Sequence, residues 1–243
     1  MNPNLIGSIE IVSLLSVILL GMSVVQVYVY YINFPHDSRV VRSLIALLTL
    51  LTFLHACGTC YSLYIITIKH YGLFPPIPFQ LLKTAILGCF IHPIVQAIFA
   101  ARIYQLSTQE GQARFRVIAA VCWSLAGFIF GCTVLLSMQV MRFIGSVDDF
   151  AVEWAWLVES LLGTTAVLDI IVTAVMGCGM QRGEMNAIDL LVSWTGQTGL
   201  ITSISAIAVL IWFTFNKTDH IWLSLLILTT GCTSVSFAST FTN

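Results

Sequence analysis

Asp169, Glu159, His55 and His92 are the side chains of this 243-residue chain best placed to do chemistry, because each falls inside a long apolar run. A charge held at mid-bilayer costs roughly 3 kcal/mol or more, so such a group turns toward the bundle interior or water and takes a partner. A carboxylate or imidazole in that position either meets a polar group of a ligand or carries a proton. Gln26, Gln96 and Gln197 add buried amides, which donate and accept at once. Thr165, Asp169, Thr173 and Gly177 recur every four residues, so on a helix they stack on one side. Glu159, Gly163 and Ala166 form an adjoining ridge, with Glu159 about 80° from Asp169 at roughly 100° per residue. A small, polar stripe means close packing against other helices, so Asp169 is expected to point inward. Two roles stay open for it. It fixes helix register through a hydrogen bond to His or Thr, or it serves a ligand or a proton; the sequence does not say which histidine comes close.

The elements that must position these residues are apolar and long. Hydrophobic residues make up 58% of the chain and charged residues 9%, against about 25% charged in a soluble domain. The reading is an all-α polytopic membrane protein, a single domain over residues 1–243. Seven spans are expected, at 5–32, 40–68, 79–104, 114–140, 152–180, 187–214 and 219–240. Helices are required because lipid cannot satisfy free backbone groups. Turn-forming stretches separate them: Asn33 to Asp37, Gly72 to Pro78, Thr108 to Gln112, Gly145 to Asp149, Gln181 to Glu184, and Asn216 to Asp219. The seventh span is the weakest, because Thr229 to Asn243 is mostly Thr, Ser and Gly. Pro93 should kink the third span beside His92, and kinks often border cavities. Ser13, Ser16, Leu20 and Ser23 in the first span, and Gly196, Gly199, Thr202 and Ser203 in the sixth, read as packing faces. The first span is too long for a signal-peptide core and is expected to be retained.

Arg39, Arg42, Arg102, Arg114, Arg116 and Arg182 lie on the odd connectors. Lys69, Lys83, Arg142 and Lys217 lie on the even ones, and the fourth connector is acidic, with Asp148, Asp149 and Glu153. The positive-inside rule then places the amino terminus outside and the carboxyl terminus inside. The sequon Asn216-Lys217-Thr218 would face outward, too close to the bilayer to be glycosylated. Tyr28, Tyr30, Tyr31, Tyr104, Trp154, Trp156 and Trp222 near span ends read as an aromatic belt.

Enzyme signatures are missing. The chain has no Gly-x-Ser-x-Gly, no His-Glu-x-x-His and no glycine-rich phosphate loop. Two intramembrane histidines do not complete a three-ligand zinc site without a carboxylate. Cys57 and Cys60 have metal or redox spacing, but they lie mid-helix without a second pair and read as two buried thiols. The seventh span has no lysine for a retinal Schiff base. No catalytic residue, metal or cofactor is expected.

Four strings resemble a fungal, mostly basidiomycete, family of multi-pass membrane proteins, the domain of unknown function 6534. They are Gly21-x4-Gln26-x-Tyr28-x-Tyr30-Tyr31-x2-Phe34-Pro35-x-Asp37, then Gln96-x2-Phe99-Ala100-x-Arg102-Ile103-Tyr104-x-Leu106-Ser107, then Asp169-Ile170-Ile171, and last Asp189-Leu190 leading to Thr198-Gly199-Leu200-Ile201-Thr202-Ser203. They run in order over most of the chain. The resemblance implies seven helices and brings no catalytic or ligand residues. The resembled family usually continues into a basic segment, whereas Gly231 to Asn243 carries no Lys or Arg, so a shortened or altered carboxyl end is expected.

Three functions compete. A receptor or sensor fits the architecture, and Arg102-Ile103-Tyr104 at the predicted inner end of the third span echoes the Arg-Tyr motif of heptahelical receptors, although Ala101 stands where an acid is expected. A proton-linked carrier would use Asp169, Glu159, His55 and His92. A scaffold would use the small-residue faces alone. The candidate ligand residues are Asp169, Glu159, His55, His92, Gln96 and Gln197, with Arg102 and Tyr104 at the cytoplasmic end. The expected partners are the lipid bilayer and a small-molecule or lipid ligand, with no nucleic acid.

Overall fold

The computed structural model describes residues 3–69, 79–110, 113–143, 147–180, 202–215 and 221–242. Among these residues the regular structure is entirely helical. The elements are α1 (Pro3–Asn33), α2 (Arg39–Tyr64, continued by a π turn over Ile65–Lys69), α3 (Phe79–Cys89), α4 (Ile91–Glu110), α5 (Ala113–Arg142), α6 (Val147–Glu153), α7 (Ala155–Met180), α8 (Thr202–Phe215) and α9 (Ile221–Thr242). Six stretches are long and apolar enough to cross a membrane: Gly7–Asn33, Arg39–Lys69, Gln80–Ala101, Arg116–Arg142, Ala155–Val175 and Ile221–Ser239. The chain is a multi-pass helical membrane protein. Its outer surface agrees, with Ile11, Leu14, Val25, Phe53, Trp123 and Met141 at least half exposed, side chains that water would not tolerate in such density.

Several boundaries differ from expectation. The third span is α3 and α4 in series, broken at Phe90. The cause sits three residues on: Pro93 has no N–H to give the carbonyl of Cys89 and its ring crowds that carbonyl. The proline therefore shows its effect one turn upstream of itself. α4 also runs on to Glu110, past the expected end at 104. Part of the expected fourth connector is helical, as α6, where buried Phe150 meets Phe143 edge-to-face at 5.3 Å between ring centres. Of the expected sixth span, Thr202–Phe215 is described and is shorter than a spanning length. Gln197, Gly196, Gly199, the turns at Gly72–Pro78 and Gln181–Glu184, and the sequon at Asn216 lie outside the described residues.

The largest revision concerns α9. The span that reads weakest in sequence is the most enclosed, with 72% of its apolar window buried against 28% for α1. Its Thr, Ser and Gly residues are contact residues. Ser224 meets Ser8 at 3.4 Å and Ser234 meets Ser23 at 3.3 Å, oxygen to oxygen. A Cβ on Gly231 would fall 2.8 Å from Leu19, so the missing side chain lets α1 approach. The pairs 8–224, 19–231 and 23–234 rise together, so α1 and α9 run parallel. The small face expected on α1 is confirmed, with Ser13, Ser16 and Ser23 buried.

The aromatic belt holds in part. Tyr28, Tyr104 and Trp156 are exposed, but Tyr30 and Trp222 belong to the core. Trp222 packs edge-to-face on Phe213 of α8 at 4.9 Å. Cys57 and Cys60, expected to be buried, are exposed on α2.

Candidate functional site

Helix α4 has two unlike faces, and together they make the candidate site. His92, Val95, Gln96, Phe99, Ala100 and Ile103 are buried in the bundle. Pro93, Ile94, Ala97, Ile98 and Ala101 line a groove of about 670 Å³. The four-residue period of a helix separates the sets: 92 and 96 stack on one side, 93, 97 and 101 on the other.

On the inner face, Gln96 Nε2 donates to Asp169 Oδ1 of α7, and Thr202 at the start of α8 adds a second side-chain hydrogen bond to that carboxyl group. Asp169 therefore ties three helices at one point. Two atoms of the pair, Asp169 Oδ2 and Gln96 Oε1, are buried with no hydrogen-bond partner among the described residues. Both are acceptors while the carboxyl is ionised. A neutral carboxylic acid would make Oδ2 a donor, which is what Gln96 Oε1 lacks.

One turn before Gln96, His92 Nε2 lies 3.3 Å from Thr233 Oγ1 of α9, and its Nδ1 has no partner among the described residues. Thr233 Oγ1 also donates to Thr229 O, so its proton is already used and His92 Nε2–H is the natural donor across the helices. His92, Thr165 and Thr229 border an internal space of about 20 Å³, room for one water. Thr165 precedes Asp169 by one turn on α7, as His92 precedes Gln96 on α4, so this space lies one turn before the Gln96–Asp169 pair.

His55 is buried on α2 but joins a different contact. Gly88 of α3 lets it approach α9: a Cβ there would fall 2.9 Å from His55 Nε2 and 2.7 Å from Thr230 Oγ1. His55 Nε2 has no partner among the described residues.

The expected residues thus separate. Asp169 and Gln96 meet, and His92 stands on the next turn. His55 faces α9 from the α2 side. Glu159 is half-buried, nearly three turns before Asp169 on α7. The stripe through Thr165 and Asp169 is buried, but a Cβ on Gly163 would meet nothing within 4 Å among the described residues, so the close approach expected of that ridge is absent there. Tyr104 is half exposed. Arg102 lies on α4, with its side chain outside the described residues.

A cavity beside the Pro93 kink was one of the expectations, but the residues that complete this outer face and the carboxylate at its end were missed in sequence. Val41 and Leu44 of α2, Trp123 and Phe130 of α5, and Phe237 of α9 complete the groove, and Asp37 stands at its end. Asp37 is fixed by the connector between α1 and α2. The hydroxyl of buried Tyr30 donates to Asp37 Oδ2 at 2.8 Å. Tyr31 OH donates to Arg42 O at 2.8 Å, while Arg42 donates to Pro35 O at 3.2 Å and lies over the Tyr31 ring at 5.1 Å. Ser38 caps α2 by accepting from Val41 N–H. The string Tyr30-Tyr31-x2-Phe34-Pro35-x-Asp37 was the available signal. It reads as belt plus turn, because the contact that gives it meaning lies across the turn.

No metal-binding group of three or more His, Cys, Asp or Glu residues exists among the described residues. What the fold and site define is a polytopic helical membrane protein with a buried carboxyl–amide pair and an apolar groove back to back on one helix. No family model, curated protein or solved structure matches the chain.

Proposed function

We propose that this protein is a seven-span membrane sensor for an apolar small molecule or lipid, without enzymatic activity or cofactor. One observation carries the reading. The interrupted helix α4 presents Pro93 and Ala97 to the groove, and His92 and Gln96 to the polar contacts that hold α7, α8 and α9. A ligand that shifts α4 from the groove side alters those contacts directly. The volume falls within the roughly 300–1,000 Å³ usual for small-molecule sites.

Seven crossings are supported by direction. α1 and α9 run parallel, so the crossings from α1 through α9, both included, are odd in number. Six long spans alone would make them antiparallel. α8 supplies the missing one: Phe213 meets Trp222 of α9, and Thr202 meets Asp169 of α7, so α8 returns between them. Connector arginines favour an outside amino terminus, and membership of the resembled fungal family is part of the same reading.

The test uses purified protein in lipid nanodiscs, screened by thermal shift against lipids and small metabolites. A hit should raise the unfolding temperature by several degrees and change hydrogen exchange across Phe90–Ala101. Ligands that stabilise without altering exchange in α4 would overturn the sensor reading.

A second reading, a proton-linked carrier, is favoured by Asp169 Oδ2 and His92 Nδ1, which have no hydrogen-bond partner among the described residues. Reconstituted vesicles decide between the two. Proton flux in wild type that Asp169→Asn abolishes selects the carrier, and absence of flux selects the sensor.

A further inference from the structure

The groove has a chemical polarity that narrows its occupant. Among the described residues lining it, Asp37 alone is charged, and the rest are aliphatic, aromatic, Gly or Pro. Pro93 and Ala101 mark its extent along α4, eight residues apart, which is about 12 Å of helix. Asp37 lies in the connector, at the level where the bilayer meets water, while Pro93 lies within a membrane-crossing stretch. Tyr30 occupies Oδ2 of the carboxylate and leaves Oδ1 for a second donor. Arg42, on the first turn of α2, is turned to Pro35 O and the Tyr31 ring.

We propose that the groove binds an amphiphile with a protonated amine head and a single aliphatic body about 12 Å long, the ammonium on Asp37 and the chain along α4 and α5 toward Pro93. An alcohol would gain one hydrogen bond there; an ammonium gains a charge-assisted one at the rim of a low-dielectric slot. A carboxylate head would be repelled. Buried Tyr30 holds the acceptor in place before the ligand arrives, which limits the ordering cost of binding. The inference deepens the sensor reading by naming its ligand class, and rests on that reading only in using the same groove.

Half-exposed Trp123 in the groove wall provides the readout. Protein in zwitterionic nanodiscs is titrated with dodecylamine brominated on its chain, and tryptophan quenching is followed. A saturable component should appear, vanish in Trp123→Phe, and move to about tenfold higher concentration in Asp37→Asn. The amide introduced by Asp37→Asn keeps an acceptor for Tyr30, so the connector stays folded, and unfolding of the empty variant checks this. Brominated dodecanol and dodecanoate should quench more weakly and ignore Asp37→Asn. Equal saturation by amine and alcohol, or an unmoved curve in Asp37→Asn, overturns the proposal. Hydrogen exchange separates the two ideas. Amine bound by these criteria with unchanged exchange across Phe90–Ala101 sinks the sensor reading and leaves the ligand assignment. Exchange that responds to uncharged apolar molecules as strongly as to the amine does the reverse.

Discussion

The two faces of α4 carry opposite kinds of order. Toward α7 and α9, His92 and Gln96 make polar contacts inside tight packing, and the adjoining space of about 20 Å³ has room for one water. Toward α2 and α5, Pro93, Ala97 and Ala101 border about 670 Å³ with few polar atoms. The inner face is selective through hydrogen bonds that are costly to leave unmade, while the outer face is permissive because apolar contacts have no direction. A helix built this way is held firmly on one side and can be pushed from the other.

The comparison is tested most strongly at Gln96. Gln96→Leu removes the amide that donates to Asp169 and leaves a carboxyl group buried with less support, at an expected cost of about 3 kcal/mol. Adding Asp169→Leu should recover most of that loss, because paired removal leaves fewer stranded groups. Unfolding in mixed micelles measures the double-mutant cycle. A double variant whose loss equals the sum of the two single losses would show that the pair is not coupled.

Gly88→Ala should cost about 2 kcal/mol, the scale of overpacking, since its Cβ meets both His55 and Thr230. His55→Ala should relieve it in the same assay. Thr233→Val should cost about 1 kcal/mol by removing the His92 contact between α4 and α9. Ala97→Leu on the groove side should change stability by less than about 0.5 kcal/mol, yet weaken amine binding by occupying the slot. A large loss for Ala97→Leu would mean the two faces are not different in kind.

Much of the inner face is legible in sequence. The spacing of Thr165 and Asp169 predicts a shared inward side, and both are buried. Gln96 as the partner is not legible, because the two lie 73 residues apart and their meeting depends on which helices become neighbours. The importance of α9 is misread for a physical reason. Low apolarity in Thr229 to Ser239 looks like a failing span against lipid, but this helix faces protein, where small residues favour close approach. Tyr30 and Trp222 are misread likewise. An amphipathic ring near a span end suits the interface and the core equally, and only neighbours decide.

The sequence alone determined that this chain lives in a membrane as helices, since long runs without charge leave the backbone no other way to satisfy itself in lipid. It also determined that Asp169 must look inward, because a carboxyl group facing acyl chains is too costly. The tertiary structure decided which groups meet Asp169, that α9 stands at the centre beside α1, and that Asp37 ends up at the mouth of an apolar slot. Those outcomes depend on helix adjacency and direction, which arise from contacts between distant segments and leave no local trace in residue order.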